Sequence, residues 1–252
     1  MNVKFLGMIL AAFLAATLVT GRALAADFDV AIVFAVDVSG SIDPFTADLQ
    51  REGHVLALRS PQVIAAIAGN HFGCIAIAYF EWSSREELRT VSPLRTVLPW
   101  TGVCSAEDAL AAAKIISEKG DRGYGRWGRG ETSISYAIDT ASLLLDDFAG
   151  EVGRKVIDIS SNGRNNSGLP VAVSRARAIA KGYTINAIAI PTMEHRGFAD
   201  HLVNYFAQEV IGGPSAFVLE PASREDYAVA LRRKLVKEIA LSGGTHGIRV
   251  PD

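Results

Sequence analysis

Asp37, Ser39 and Ser41 stand as Asp-x-Ser-Gly-Ser directly after the apolar run Val30-Ala31-Ile32-Val33-Phe34-Ala35-Val36. A carboxylate and two hydroxyls are hard oxygen ligands with no nitrogen or sulfur among them. Such a set suits Mg²⁺, Mn²⁺ or Ca²⁺ and not zinc. Two hydroxyls one residue apart, in a loop leaving a strand, can face the same ion. Mg²⁺ keeps several waters and is held by few protein charges, so an incomplete shell leaves room for an oxygen from a partner. The plainer alternative is that Ser39, Ser41 and Asp43 only cap a helix, since Asp43-Pro44 reads as N-cap and first helical position.

Positioning these groups requires a rigid frame. Seven consecutive apolar residues, mostly β-branched or aromatic, read as a strand buried on both faces, as in a parallel sheet covered by helices. Ligands of open α/β sheets bind at the carboxyl ends of such strands. Further strands are expected over 74–80, 88–100, 155–160, 183–190 and 216–219, and helices over 46–58, 62–68, 106–119, 132–148, 169–181, 198–210 and 227–241. Pro93 makes the third strand an edge strand or a bulged one, and its short link to the second argues for antiparallel pairing. The pattern predicts a single doubly wound, mostly parallel six-stranded sheet with one antiparallel edge strand and helices on both faces.

Residues 1–25 combine Lys4, an apolar stretch from Phe5 to Val19 and Ala23-Leu24-Ala25, and read as a signal peptide. An uncleaved anchor is the alternative, but the apolar run is short of the ~20 residues a spanning helix needs. The expected organisation is a signal at 1–25, one domain at 26–241 and a polar tail at 242–252. The product is then an exported protein, periplasmic or secreted, with no membrane span after cleavage. Cleavage removes Lys4 and Arg22 and no acid, so the formal charge falls from −2 to −4. A mildly acidic chain lacks the basic footprint of a nucleic-acid binder. Export permits a disulfide, and Cys74 and Cys104 fall at points that an antiparallel hairpin brings together. A Cys74–Cys104 bridge and two buried thiols both stay open.

Asp37-Val38-Ser39-Gly40-Ser41 after an apolar strand resembles the metal-ion-dependent adhesion site of von Willebrand factor type A domains, and the element order is similar across residues 28–241. More narrowly, Ile157-Asp158-Ile159-Ser160, Asn165-Asn166 and Ile211-Gly212-Gly213-Pro214 resemble a bacterial exported branch of uncharacterised function. The resemblance implies a threonine from a second loop, and Gly130-Glu131-Thr132-Ser133-Ile134 looks like its carrier. It implies an aspartate before a glycine in a third loop, where this chain has Asn162-Gly163. The implied metal set is Asp37, Ser39, Ser41, Thr132 and Asn162, with Ser39, Ser41 and Thr132 binding directly. Asp37 and Asn162 would orient waters, and an Asp or Glu of another protein would complete the shell. With Asp37 as the one clear carboxylate, weak affinity for Mg²⁺ (or Mn²⁺ or Ca²⁺) is expected.

The resulting expectation is an exported, non-catalytic protein-binding module. A metal-independent interaction scaffold with a degenerate site at Asn162 is the first rival, and a metal-assisted hydrolase the second. No general base stands at motif spacing near the site, and no G-x-S-x-G elbow occurs. Gly123-Tyr124-Gly125-Arg126-Trp127-Gly128 fits G-x-G-x-x-G but follows a helix, so it fails as a dinucleotide motif. Tyr124, Arg126, Trp127 and Arg129 are better read as partner contacts. Asn165 and Asn166 are turn formers first and rim contacts second. Asp158 reads as a buried acid with a structural partner.

Overall fold

The computed structural model describes residues 27–84, 94–123, 130–191 and 199–241. The expected signal segment 1–25, the expected tail 242–252, Pro93, and the contact candidates Tyr124, Arg126, Trp127 and Arg129 lie outside the described residues. Strand β1 (Val30–Asp37) is buried along its whole length. It is paired in parallel with β2 (Ile75–Trp82) on one side and β4 (Lys155–Ser161) on the other. Strands β5 (Thr184–Ala189) and β6 (Val218–Leu219) continue the parallel side, while β3 (Leu94–Val103) closes the other edge antiparallel to β2. The order is β3-β2-β1-β4-β5-β6. The chain leaves β1 toward β2 and returns to its other side as β4, which opens a crevice at the β1/β4 carboxyl ends.

Strand alternation sorts β1 into two cores. Val30, Ile32, Phe34 and Val36 face α1 (Pro44–Leu58), α2 (Pro61–Ala68), α3 (Ala106–Lys119) and α7 (Tyr227–Ala240). Ala31, Val33 and Ala35 face α4 (Ile134–Asp146), α5 (Val171–Ala180), α6 (Ala199–Tyr205) and the π-helical turn Phe206–Val210. Asp43 caps α1 by accepting the Thr46 N–H at 2.6 Å, with Pro44 in the first turn. Ser105 caps α3 in the same way through the Asp108 N–H. Cys74 and Cys104 are bonded to each other and tie the approach to β2 to the exit of β3.

Among the boundaries that differ from the sequence pattern, two bear on the sheet edge and the site. The third strand runs to Val103, and the proline inside it is Pro99, where the pairing with β2 slips between Ile77↔Thr101 and Tyr79↔Leu98. A proline without a ladder N–H is accommodated there by the irregularity. The helix expected from residue 132 begins at Ile134. Thr132 remains in extended loop because its N–H and carbonyl are both bound by Asn166, which removes it from the helical ladder.

An ionic network is sealed beneath α1 and α7. Lys234 Nζ lies 2.5 Å from Asp158 Oδ1 on β4 and 2.6 Å from Glu238 Oε1 one turn along α7. Asn186 on β5 donates to Glu238 at 2.7 Å. Nearby His54 is pushed down to about 4, mainly by burial. Glu238 is pushed up to about 7 by burial and by the Asp158 charge, against the pull of Lys234.

These two shifts act oppositely on stability. His54, lowered in the fold, contributes stability that is present above its ordinary value of 6.5 and lost as pH falls toward 4. Glu238, raised in the fold, contributes stability that is present below its ordinary value of 4.5 and lost as pH rises toward 7. Their slopes oppose each other between pH 4.5 and 6.5. Glu238→Gln removes one arm, so its stability deficit against wild type should widen as pH falls from 7 to 4.5. Urea unfolding midpoints across that range check this, and a deficit independent of pH contradicts it.

Candidate metal centre

Three loops converge over the β1/β4 crevice. Hydrogen bonds to their backbone groups pin them. The turn after β1 is held by Asp37 Oδ1, which accepts the Ser39 N–H at 2.7 Å, and by the Ile42 N–H to Ser39 O bond at 3.0 Å. The loop before α4 is tied to it through Gly40 N–H to Gly130 O at 2.8 Å. The same loop is tied to the end of β2 by the reciprocal Ser84–Glu131 bonds, at 2.7 and 2.9 Å. Asn166 fixes Thr132 from the third loop: its Oδ1 accepts the Thr132 N–H at 2.8 Å and its own N–H reaches Thr132 O at 2.9 Å.

The hydroxyls meet as a consequence. Ser39 Oγ lies 3.1 Å from Thr132 Oγ1 and 3.3 Å from Ser41 Oγ. Adjacent ligands on an octahedron with bonds of about 2.1 Å stand about 3.0 Å apart, and bonds of about 2.4 Å give about 3.4 Å. The observed spacings fall between, so this all-oxygen set fits a small hard dication. Ser39 and Thr132 are buried and Ser41 is exposed, which leaves the cluster open on one side. Gly163 closes another side. A Cβ there would come to 3.3 Å from Thr132 Oγ1.

Asp37 is fully buried below the hydroxyls, and its second oxygen accepts Ser161 Oγ–H at 2.6 Å. Asn162 spans Ser41: its Oδ1 accepts Ser41 Oγ–H at 2.8 Å and its Nδ2 donates to Ser41 O at 3.2 Å. Asp37, Ser39, Ser41, Thr132 and Asn162 are thus in one place. Asn165 is used inside the fold, with Oδ1 on the Ser135 N–H and Nδ2 on Leu169 O. Asn166 is used likewise on Thr132, so the side chains of both asparagines build the loop that any rim surface would rest on.

Sequence reading passed over two residues that complete the support. Ser161 follows from alternation, because positions 157, 159 and 161 share the sheet face of Ala31, Val33, Ala35 and Asp37. Gln50 had no local signal. Its Nε2 donates to Asp37 O at 2.9 Å and its Oε1 accepts from Ser160, which also contacts the Tyr227 hydroxyl at 2.8 Å. Asp158 stands apart from the centre and pairs with Lys234. Among the described residues no cluster of three or more His, Cys, Asp or Glu side chains could hold a metal, and no helix is long and apolar enough to cross a membrane.

No curated protein matches this chain by sequence. The solved structures it resembles include the pilus adhesin SpaC from Lactobacillus rhamnosus GG in its open conformation, at 16% identity and a TM-score of 0.60, over 85% of this chain and 30% of that one. Proximal thread matrix protein 1 from the mussel byssus, with a zinc-occupied MIDAS motif, is 16% identical at a TM-score of 0.55, over 85% of this chain and 48% of its own. The PilB minor pilin from Streptococcus sanguinis is 12% identical at a TM-score of 0.56, over 89% and 64%. The chain therefore spans about a third to two thirds of these proteins. An adhesin, a matrix protein and a pilin share its von Willebrand factor type A fold, a six-stranded mixed sheet between helices. Residues 27–243 match the family described as "Protein of unknown function (DUF1194)", and the chain belongs to that family.

Proposed function

We propose that this protein is an exported, non-catalytic protein-binding module whose contact with its partner passes through a divalent cation. The observation that carries this reading is the spacing of the Ser39, Ser41 and Thr132 hydroxyls, 3.1 and 3.3 Å, above the buried Asp37 carboxylate. Those three hydroxyls would hold Mg²⁺, or Mn²⁺ or Ca²⁺, while Asp37 and Asn162 orient its waters. The cation supplies a positive point on an open surface, and an Asp or Glu of another protein answers it. With Asp37 as the one carboxylate at the site, weak affinity for the cation alone is implied. The mussel protein with a zinc-occupied MIDAS motif shares the fold and supports a divalent centre.

Calorimetric titration with Mg²⁺ and Mn²⁺ tests the reading. Saturable heat at millimolar metal is expected, abolished by EDTA and by Asp37→Ala, with a metal-dependent rise in thermal midpoint in the wild type only. Equal stabilisation of wild type and Asp37→Ala contradicts it. The second reading, a metal-independent scaffold, is favoured by the Asn162–Ser41 clamp, which satisfies Ser41 internally. No metal heat together with retained protein binding supports that scaffold.

A further inference from the structure

Arg164 is exposed, two residues beyond Asn162 in the loop after β4. Its guanidinium rests on the face of Tyr205, 4.5 Å from the ring centroid. Among the described residues this guanidinium makes no hydrogen bond and no ion pair. The ring beneath it is fixed, because the Tyr205 hydroxyl accepts the Asn165 N–H at 3.3 Å. Tyr205 also leads directly into the π-helical turn Phe206–Val210, a distortion that recurs at functional sites. The two residues line an open groove of about 410 Å³ with Asn165, Pro170, Val171 and Glu209.

A stacked guanidinium keeps its fork of donors pre-organised and meets a carboxylate with two parallel bonds. Two residues of chain span at most about 7 Å, so the backbone that carries Arg164 starts beside the Asn162–Ser41 clasp. On an extended segment, side chains two residues apart point the same way and lie about 6.6 Å apart. Glu209 in the same groove disfavours a longer run of acids. We propose that Arg164 is a second carboxylate-binding point, and that the partner is an extended acidic segment of another protein. Two acids of that segment, two residues apart, would bind the cation and Arg164 together. This rests on the cation-dependent reading above.

Capped peptides with Asp-Gly-Asp, Asp-Gly-Asn, Asn-Gly-Asp and Asn-Gly-Asn cores, immobilised at high density, test it in millimolar Mg²⁺. The two-acid peptide should bind about fivefold more tightly than either single-acid peptide. Arg164→Ala should bring it down to the single-acid level, with its thermal midpoint and Mg²⁺ titration serving as folding controls. Arg164→Lys, which keeps the charge but not the fork, should fall between. If single-acid peptides bind in Mg²⁺ and the second acid adds nothing, or if Arg164→Ala keeps the advantage, the Arg164 point is wrong and the cation-dependent reading stands. If no acidic peptide binds in Mg²⁺, both fail.

Discussion

Asn162→Asp should raise Mg²⁺ affinity at least about tenfold (~1.4 kcal/mol) and lower stability when metal is withheld. The amide performs two tasks at once, accepting from the Ser41 hydroxyl and donating to the Ser41 carbonyl. A carboxylate keeps the first and turns the second into an oxygen facing an oxygen. Losing the donor to the Ser41 carbonyl costs about 0.5–1.5 kcal/mol, and the new carboxylate sits where Asn162 is only 9% exposed. With a cation present, the added charge repays that cost. At an effective dielectric near 20, opposite unit charges 4 Å apart attract by about 4 kcal/mol, and a dication draws more. The variant's thermal midpoint should therefore fall below wild type in EDTA and recover in Mg²⁺. Identical dissociation constants for the two proteins in calorimetry would remove Asn162 from the centre.

Lys234→Met is expected to be the most damaging substitution away from the crevice, at about 3–5 kcal/mol in urea unfolding. Lys234 is fully buried and answers two carboxylates at 2.5 and 2.6 Å. Among the described residues Asp158 Oδ2 and Glu238 Oε2 have no hydrogen-bond partner even with the lysine present, so removing it leaves two buried acids without their cation. Neutralising the acids as well should restore much of the loss. The triple variant Lys234→Met, Asp158→Asn, Glu238→Gln should be markedly more stable than Lys234→Met alone, because the cost lies in unpaired charge and not in volume. If the triple variant is no more stable than the single one, the loss is one of packing.

Both predictions join residues far apart along the chain, whose contact no local pattern shows. Asp37, Ser39 and Ser41 announce themselves because their spacing is local and follows a strand whose apolar run is unbroken. Asp43-Pro44 and Ser105 also act within one turn, and both cap as their types suggest. The mostly parallel sheet with one antiparallel edge strand follows from element order and the single short hairpin link. By contrast, Asn165 and Asn166 look like surface asparagines in sequence, yet their side chains tie down the start of α4 and Thr132. Lys234 looks like a solvated residue of an amphipathic helix, and Asp158 like an acid in search of some partner. That they belong together depends on α7 lying across β4.

By itself, then, the sequence determined which segments are strands and helices, and which residue types could hold a hard cation. Those are matters of spacing over a few residues, decided by burial periodicity and end-capping. Resemblance alone grouped Thr132 and Asn162 with the Asp37 loop; only the tertiary structure decided that Thr132 would touch Ser39 across 93 residues and Asn162 would clasp Ser41 across 121. It alone chose Ser161 and Gln50 as the support of Asp37. Such contacts carry no pattern along the chain, because they arise where independently specified strands end side by side. The loops between those ends close around whatever hydrogen-bond partners the packing puts within reach.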